Sequence, residues 1–179
     1  PNLALYQTRI GDVSMWKGCA YANASRNAVF AAMLAQRGLT GPSPIFEGAG
    51  GYFTAVSHGP FELEQFGGDG QPFKIMECSI KRFPLGQYSQ TVVQAALEVR
   101  EQLPDVNDIA EIIAEINVST LQTAVNIMAG DPEKWRPANR ETADHSMPYT
   151  AAVALMYGEV GQQHFDDEYL RNEALLDLV

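Results

Sequence analysis

Cysteine is nearly absent from this sequence: Cys19 and Cys78 are the only two, and neither lies in a closely spaced pair. That excludes a disulfide scaffold and a CxxC metal or redox motif, and fits a reducing, intracellular compartment. Long apolar runs are missing too. No uninterrupted stretch approaches the roughly 20 residues a bilayer-spanning helix needs, and Pro1 opens the chain without a basic, apolar secretory leader. Basic residues are few, 12 Lys and Arg against 22 Asp and Glu for a formal charge of -10. The long-range field therefore repels phosphate backbones and anionic lipid, which excludes nucleic acid and membrane as partners. A few basic side chains gathered in a pocket can still hold an anionic metabolite against that distant field. His58, His145 and His164 are widely spaced and match no metal-ligand spacing.

What is present is ordinary globular material: 179 residues, 46% hydrophobic and 19% charged, with no repeat and no low-complexity tract. From about Lys17 to Arg37, seven alanines from Ala20 to Ala35 combine with Val29, Phe30, Met33 and Leu34 at helical spacing. This predicts a tightly packed, mostly buried helix stopped by Gly38. Residues 41–71 are dense in Gly and Pro and predict irregular loop. Met76, Cys78 and Ile80 alternate with Glu77, Ser79 and Lys81, predicting a half-buried strand ended by Pro84. Ser89 is placed to cap a helix carrying Val92, Val93, Ala96, Leu97 and Leu103. Alternation over 109–118 predicts a second strand, and Leu121 to Met128 a short helix closed by Gly130. Ser146 and Pro148 open a helix reaching Tyr157, and an amphipathic segment from about Asp166 to Leu178 ends the chain.

The expected fold class is α+β: part of an all-helical domain over residues 1–70, with its connecting loop, followed by a small α+β lid domain over 71–179. The abrupt start and end read as cuts through a larger protein.

Four stretches carry a family likeness, in order along nearly the whole chain. They are Ser14-Met-Trp-Lys-Gly-Cys-Ala running into Asn23-Ala-Ser-Arg-Asn-Ala-Val-Phe-Ala-Ala; Gly38-Leu-Thr-Gly-Pro with Phe46-Glu-Gly and Gly50-Gly-Tyr-Phe; Ile80-Lys-Arg-Phe-Pro with Tyr88-Ser-Gln-Thr-Val-Val-Gln-Ala-Ala; and Arg140-Glu-Thr-Ala-Asp-His-Ser-Met-Pro-Tyr. Together they resemble the MmgE/PrpD family, which includes 2-methylcitrate dehydratases of propionate catabolism, cis-aconitate decarboxylase and an iminodisuccinate epimerase. The resemblance implies an all-helical domain plus an α+β lid with the active site between them, a small polycarboxylate substrate, no metal or organic cofactor, and a homodimer. It implies a cytoplasmic setting, or the mitochondrial matrix in a eukaryote. Ser89-Gln90-Thr91 and Asp144-His145-Ser146 resemble the dehydratase branch, a hydro-lyase; decarboxylase-like and epimerase-like members, or a non-catalytic assembly module, are the alternatives. The family's aspartate-rich motif and histidines that precede this segment are not in the chain, so the isolated 179 residues are expected to be inactive.

Elimination of water from a polycarboxylate needs cations to hold carboxylates, a base for the carbon-bound proton and an acid for the leaving hydroxyl. Lys17 stands where the alanine-rich helix begins, and Lys81 on the polar side of the expected strand near its end. By pattern alone Lys17 reads better, and Lys81 at least as well, as a solvated surface lysine. The resemblance implies functional lysines at both positions, as proton-transfer or carboxylate-binding groups. Arg82, of opposite parity, reads as a scaffold residue. His145, beside Asp144 at a helix start, and Ser89 and Gln90, at another, are the candidate substrate-binding residues, with helix capping as the competing reading for each. Gly48, Gly50 and Gly51 lack the strand-then-helix context of a phosphate loop and read as a tight turn. Cys19, among alanines, reads as core packing.

Overall fold

The computed structural model describes residues 5–62, 64–104 and 109–179. Pro1 and position 63 of the expected 41–71 loop lie outside them. The chain divides into two compact units, one formed by Pro1–Ala24 with Lys81–Val179 and the other by Ser25–Ile80.

The larger unit is organised around one helix. Ser146 stands in extended conformation and its Oγ accepts the Tyr149 amide at 3.1 Å, satisfying one of the donors a helix start leaves open; Pro148 follows in the first turn. The helix so begun, α5 (Met147–Tyr157), ends where Gly158 takes φ 70° and donates its amide to the Ala154 carbonyl at 3.0 Å. In between, Tyr149 to Leu155 are all buried. A helix apolar on every face must be surrounded. Helix α2 (Gln90–Arg100) covers it with Val93 and Ala96. The three short helices α3 (Gln122–Met128), α4 (Arg140–Ala143) and α6 (Asp167–Leu170) supply Met128, Ala143 and Leu170, and α7 (Glu173–Leu176) adds Leu175 and Leu176. Asn139 caps α4 through the Thr142 amide and Asn172 caps α7 through the Leu175 amide, so one expected terminal segment is two helices with a capped break between them.

The chain start is tied to this core by polar bonds. The Gly11 amide donates to Asp131, the Val13 amide to Thr142 Oγ1, and Asn139 Nδ2 and Thr142 Oγ1 both donate to Asp12. These lead into α1 (Trp16–Gln36), of which Ala20 alone is buried.

The smaller unit holds the later part of α1 and a run of turns around an aromatic cluster. Phe46, Tyr52, Phe53 and Phe61 meet with ring centroids 5.1 to 6.0 Å apart. A Cβ at Gly51 would stand 2.7 to 2.8 Å from three carbonyl oxygens, so this turn closes only on glycine.

Three expectations need correction. Among the described residues there is no β-sheet; one isolated antiparallel bridge joins Gly68 and Gln71. The chain is therefore helical with long irregular connections, and the expected α+β class with its lid is overturned. Lys74–Glu77 forms a 3-10 helix, its amides satisfied by local carbonyls such as Met76 N–H to Phe73 O at 2.9 Å. The side chains meant for the half-buried face are exposed, Ile80 at 97%. Residues 113–121 form no regular element and have no pairing strand among the described residues, following a 3-10 turn at Ala110–Ile112. Alternation marks a two-sided environment, but a strand also needs a neighbour to take its backbone bonds. The expected burial of α1 also fails: Val29, Phe30 and Met33 are all exposed, as is Cys19.

Leu175, fully buried in the main core, tests that packing. Leu175→Ala is expected to lower unfolding free energy by about 2–5 kcal/mol, read from urea midpoints. Burial also holds His164 below its ordinary pKa of 6.5 against the raising effect of Glu159, and His145 is depressed mainly by burial as well. The unfolded chain takes up these protons as pH falls through 6.5 while the folded chain resists, so stability is full above 6.5 and declines as pH falls toward the folded values. Urea midpoints are expected to fall between about pH 7.5 and about pH 5.5, and His164→Gln to flatten the decline; a pH-independent midpoint in the unsubstituted protein would contradict this.

Candidate functional site

Four backbone features of the larger unit converge on one cavity. The first is the start of α1, where the Lys17 amide donates to the Ser14 carbonyl at 3.1 Å and the side chain leaves the first turn. The second is the loop 81–86, held by Gln90. The Gln90 Oε1 accepts the amides of Arg82 and Phe83, both at 3.1 Å, and its Nε2 donates to the carbonyls of Phe83 at 3.0 Å and Leu85 at 3.3 Å. The third is the turn between α4 and α5, which carries Asp144 and His145. The fourth is the Gly161–Gln162 loop. A hydrogen bond of 2.7 Å from the Gly86 amide to the Asp144 carbonyl joins the second feature to the third.

The cavity between them has a volume of about 630 Å³ and is lined by Lys17, Lys81, Arg82, Phe83, Pro84, Leu85, Asp144, His145, Gly161 and Gln162. Three cationic side chains face a single carboxylate there. A chain with a formal charge of -10 thus carries a locally positive concavity, and low-dielectric walls strengthen such a field over the same charges in water. A larger cavity of about 800 Å³ lies along α2 and residues 112–120; its lining is mostly apolar, and Glu115 is its one charged residue.

The centre of the charged cavity is a three-residue cluster. Lys17 Nζ donates to Asp144 Oδ1 and to the Glu141 carbonyl, the latter at 3.3 Å, and lies 3.3 Å from His145 Nδ1. His145 Nδ1 stands 2.5 Å from the same Asp144 oxygen. Nδ1 cannot donate to Asp144 and accept from Lys17 at once, and the shorter, charge-assisted contact assigns its proton to the Asp144 side. The imidazole Nε2 is then the lone-pair nitrogen, and it makes no hydrogen bond among the described residues. Burial lowers the His145 pKa, and the charges of Lys17 and Lys134 lower it further against the bond to Asp144. The ring is therefore neutral at physiological pH. Lys81 makes one bond, from Nζ to the Leu85 carbonyl at 3.0 Å, and Arg82 Nη1 donates to Gln94 at 2.7 Å while its guanidinium lies 5.3 Å from the centre of the Phe83 ring.

Of the residues singled out in the sequence, Lys17, Lys81 and His145 thus share one cavity, although Lys81 sits in an irregular loop and not on a strand. Arg82 lines the cavity beside it; the strand parity that separated the two does not exist. Gln90 has both amide hydrogens and its oxygen committed to the 81–85 loop, and Ser89 is fully buried with its Oγ unpaired, outside the lining. Ser89 caps nothing, because it continues a 3-10 turn in helical conformation, φ -88° and ψ -5°, where an N-cap stands extended. In the sequence Asp144 reads as a partner for His145 or as a helix cap; that it also binds Lys17 follows from the fold. Lys134, wholly buried nearby, carried no sequence signal at all. Among the described residues no three His, Cys, Asp or Glu side chains gather as a metal-ligand set, and no helix is long and apolar enough to cross a membrane.

Comparison with known proteins gives these features a family context. The chain is similar to the 2-methylcitrate dehydratase of Salmonella typhimurium, 27% identical over 163 residues that make up 89% of this chain and 32% of that protein. It is similar to that of Cupriavidus necator, 27% identical over 155 residues, 84% of this chain and 31% of that protein. A third relative, "2-methylcitrate dehydratase, mitochondrial" of Yarrowia lipolytica, is 26% identical over 160 residues, 85% of this chain and 29% of that protein. The chain therefore spans about a third of the length of these relatives. Family models of the MmgE/PrpD N-terminal domain and C-terminal domain match residues 1–64 and 83–179, and on that coverage the chain belongs to the MmgE/PrpD family.

Proposed function

We propose that this chain is part of a hydro-lyase of the 2-methylcitrate dehydratase type, and that the 630 Å³ cavity receives one end of a small polycarboxylate. The observation that carries the reading is the convergence of Lys17, Lys81 and Arg82 on a cavity whose remaining ionisable groups are the Asp144 carboxylate and the neutral His145 imidazole. Cations from separate parts of the chain matched to a cavity of metabolite size suit a multiply charged acid better than a neutral ligand. The similarity to proteins named 2-methylcitrate dehydratase supports the choice within that class.

Dehydration breaks a C–H bond next to a carboxylate and a C–O bond on the adjacent carbon, forms a C=C bond, and releases the hydroxyl as water. Lys81 and Arg82 grip carboxylates of the substrate, which also stabilises the negative charge that grows there as the proton leaves. His145 presents a basic Nε2, its other nitrogen held by Asp144 in the tautomer that a base requires. Lys17, hydrogen-bonded to the same Asp144 oxygen, delivers a proton to the departing hydroxyl. Gln90 contributes by fixing the loop that carries Lys81 and Arg82. The reading assigns no step to a metal or organic cofactor. A homodimer, as the resemblance implies, is part of the proposal for the complete protein.

In the full-length protein, Lys81→Ala is expected to lower kcat/KM for 2-methylcitrate by about 100-fold or more with little change in melting temperature, because among the described residues its amine makes a single bond, to the Leu85 carbonyl. Near-normal turnover removes Lys81 from the mechanism, and absence of turnover on 2-methylcitrate, citrate and cis-aconitate by the unsubstituted protein favours the assembly-module alternative. The pH profile of kcat/KM supplies a second test. With the His145 pKa depressed by burial, activity is expected to be flat at neutral pH and to fall only below about 6.5; His145→Asn should lose both the activity and that acid limb. An acid limb that survives the substitution assigns it to another group.

A further inference from the structure

Lys134 is fully buried, and its Nζ has no hydrogen-bond partner among the described residues. An ammonium brings three donors, and burying it without an acceptor is among the costliest arrangements a protein can hold. The side chain is not free to swing out. Lys134 closes the 3-10 turn Pro132–Lys134 packed against α4 and α5, its amide donates to the Asp131 carbonyl at 3.0 Å, and its own carbonyl accepts the Ser146 hydroxyl. The charged groups that act on the amine are Asp131, Asp144 and Glu133, which favour its charged form, and Lys17, which opposes it. Lys17 and Asp144 belong to the cavity cluster, and Lys134 in turn acts on His145. The amine is thus coupled electrostatically to the cavity without lining it.

We propose that Lys134 is a positioning residue of the site: its buried amine is uncharged while the cavity is empty and takes up a proton when a multiply charged anion enters. This rests on the reading of the cavity as a polycarboxylate site. In the empty cavity burial without an acceptor disfavours the ammonium, and Lys17 repels it, against the attraction of Asp131, Asp144 and Glu133. An anion seated against Lys17 offsets that repulsion and adds attraction of its own. Linkage then makes protonation of Lys134 and binding of the anion reinforce each other. Burial lowers the Lys134 pKa, which is the direction an uncharged resting form requires.

The test uses the full-length protein and citrate as probe. Calorimetric titrations at one pH in buffers of different ionisation enthalpy measure protons taken up per citrate bound. The unsubstituted protein is expected to show net uptake; Lys134→Met should lose most of that uptake and bind citrate about tenfold more weakly. Unchanged uptake in Lys134→Met overturns the proposal. Should that variant not fold, lysine-selective 13C NMR on protein carrying Lys17→Arg decides. A neutral Cε signal that shifts to the charged position on adding citrate is expected, and lysines charged both with and without citrate overturn the inference. A neutral Lys134 in a protein that binds no citrate overturns the anion linkage and points to failure of the substrate reading. A charged Lys134 in a protein that does bind citrate defeats this inference alone.

Discussion

Ser146 holds together two things that have little to do with each other in sequence. Its hydroxyl donates to the Lys134 carbonyl and accepts the Tyr149 amide, while its backbone carbonyl accepts from Thr150 Oγ1 at 2.8 Å. The first bond anchors the Pro132–Lys134 turn, and the others begin α5, the helix on which the core is built. Asp144 and His145 lie in the two positions before that start, so the direction in which α5 enters the core also sets where the carboxylate and imidazole point. A serine that can both give and receive is required; alanine there would leave a buried carbonyl and a helix-start amide unpaired.

The electrostatics of the site run against those of the chain. A strongly acidic surface would exclude an anionic metabolite if charges acted over long range, but at physiological salt they are screened beyond about 8 Å. Inside the cavity the near charges decide, and there Lys17, Lys81 and Arg82 outnumber Asp144. The acidic exterior and cationic interior are compatible, and the exterior discourages phosphate polymers from competing.

The helices that form from local preference were legible in the sequence. The alanine-rich α1 begins and ends close to where composition places it, and Ser146, Pro148 and Gly158 bracket α5 as cap residues should. What failed depended on partners. Residues 76–81 and 109–118 alternate as strands do, yet the ladders that would make them strands are absent among the described residues. The apolar stripe of α1 was read as buried because it is apolar, while Phe30 and Met33 lie exposed. For the site, Lys17, Lys81 and His145 were identifiable by family likeness, and their meeting in one cavity is a property of the fold. Gln90 reads in the sequence as a substrate-binding candidate, whereas its amide serves the backbone of 82–85. Lys134 was invisible because lysine is a surface residue by habit, and only coordinates reveal one with no exposure at all.

From the first turn of α5, the buried Tyr149 hydroxyl donates to the carbonyl of His164 at 2.6 Å, and the His164 ring accepts the amide of Gly161, which forms part of the cavity wall, at 2.9 Å. The wall on that side therefore hangs from the first turn of the core helix through two hydrogen bonds. A methyl-sized repacking beneath Tyr149 would therefore shift this wall and change the width of the opening while leaving Lys17, Lys81 and Arg82 in place.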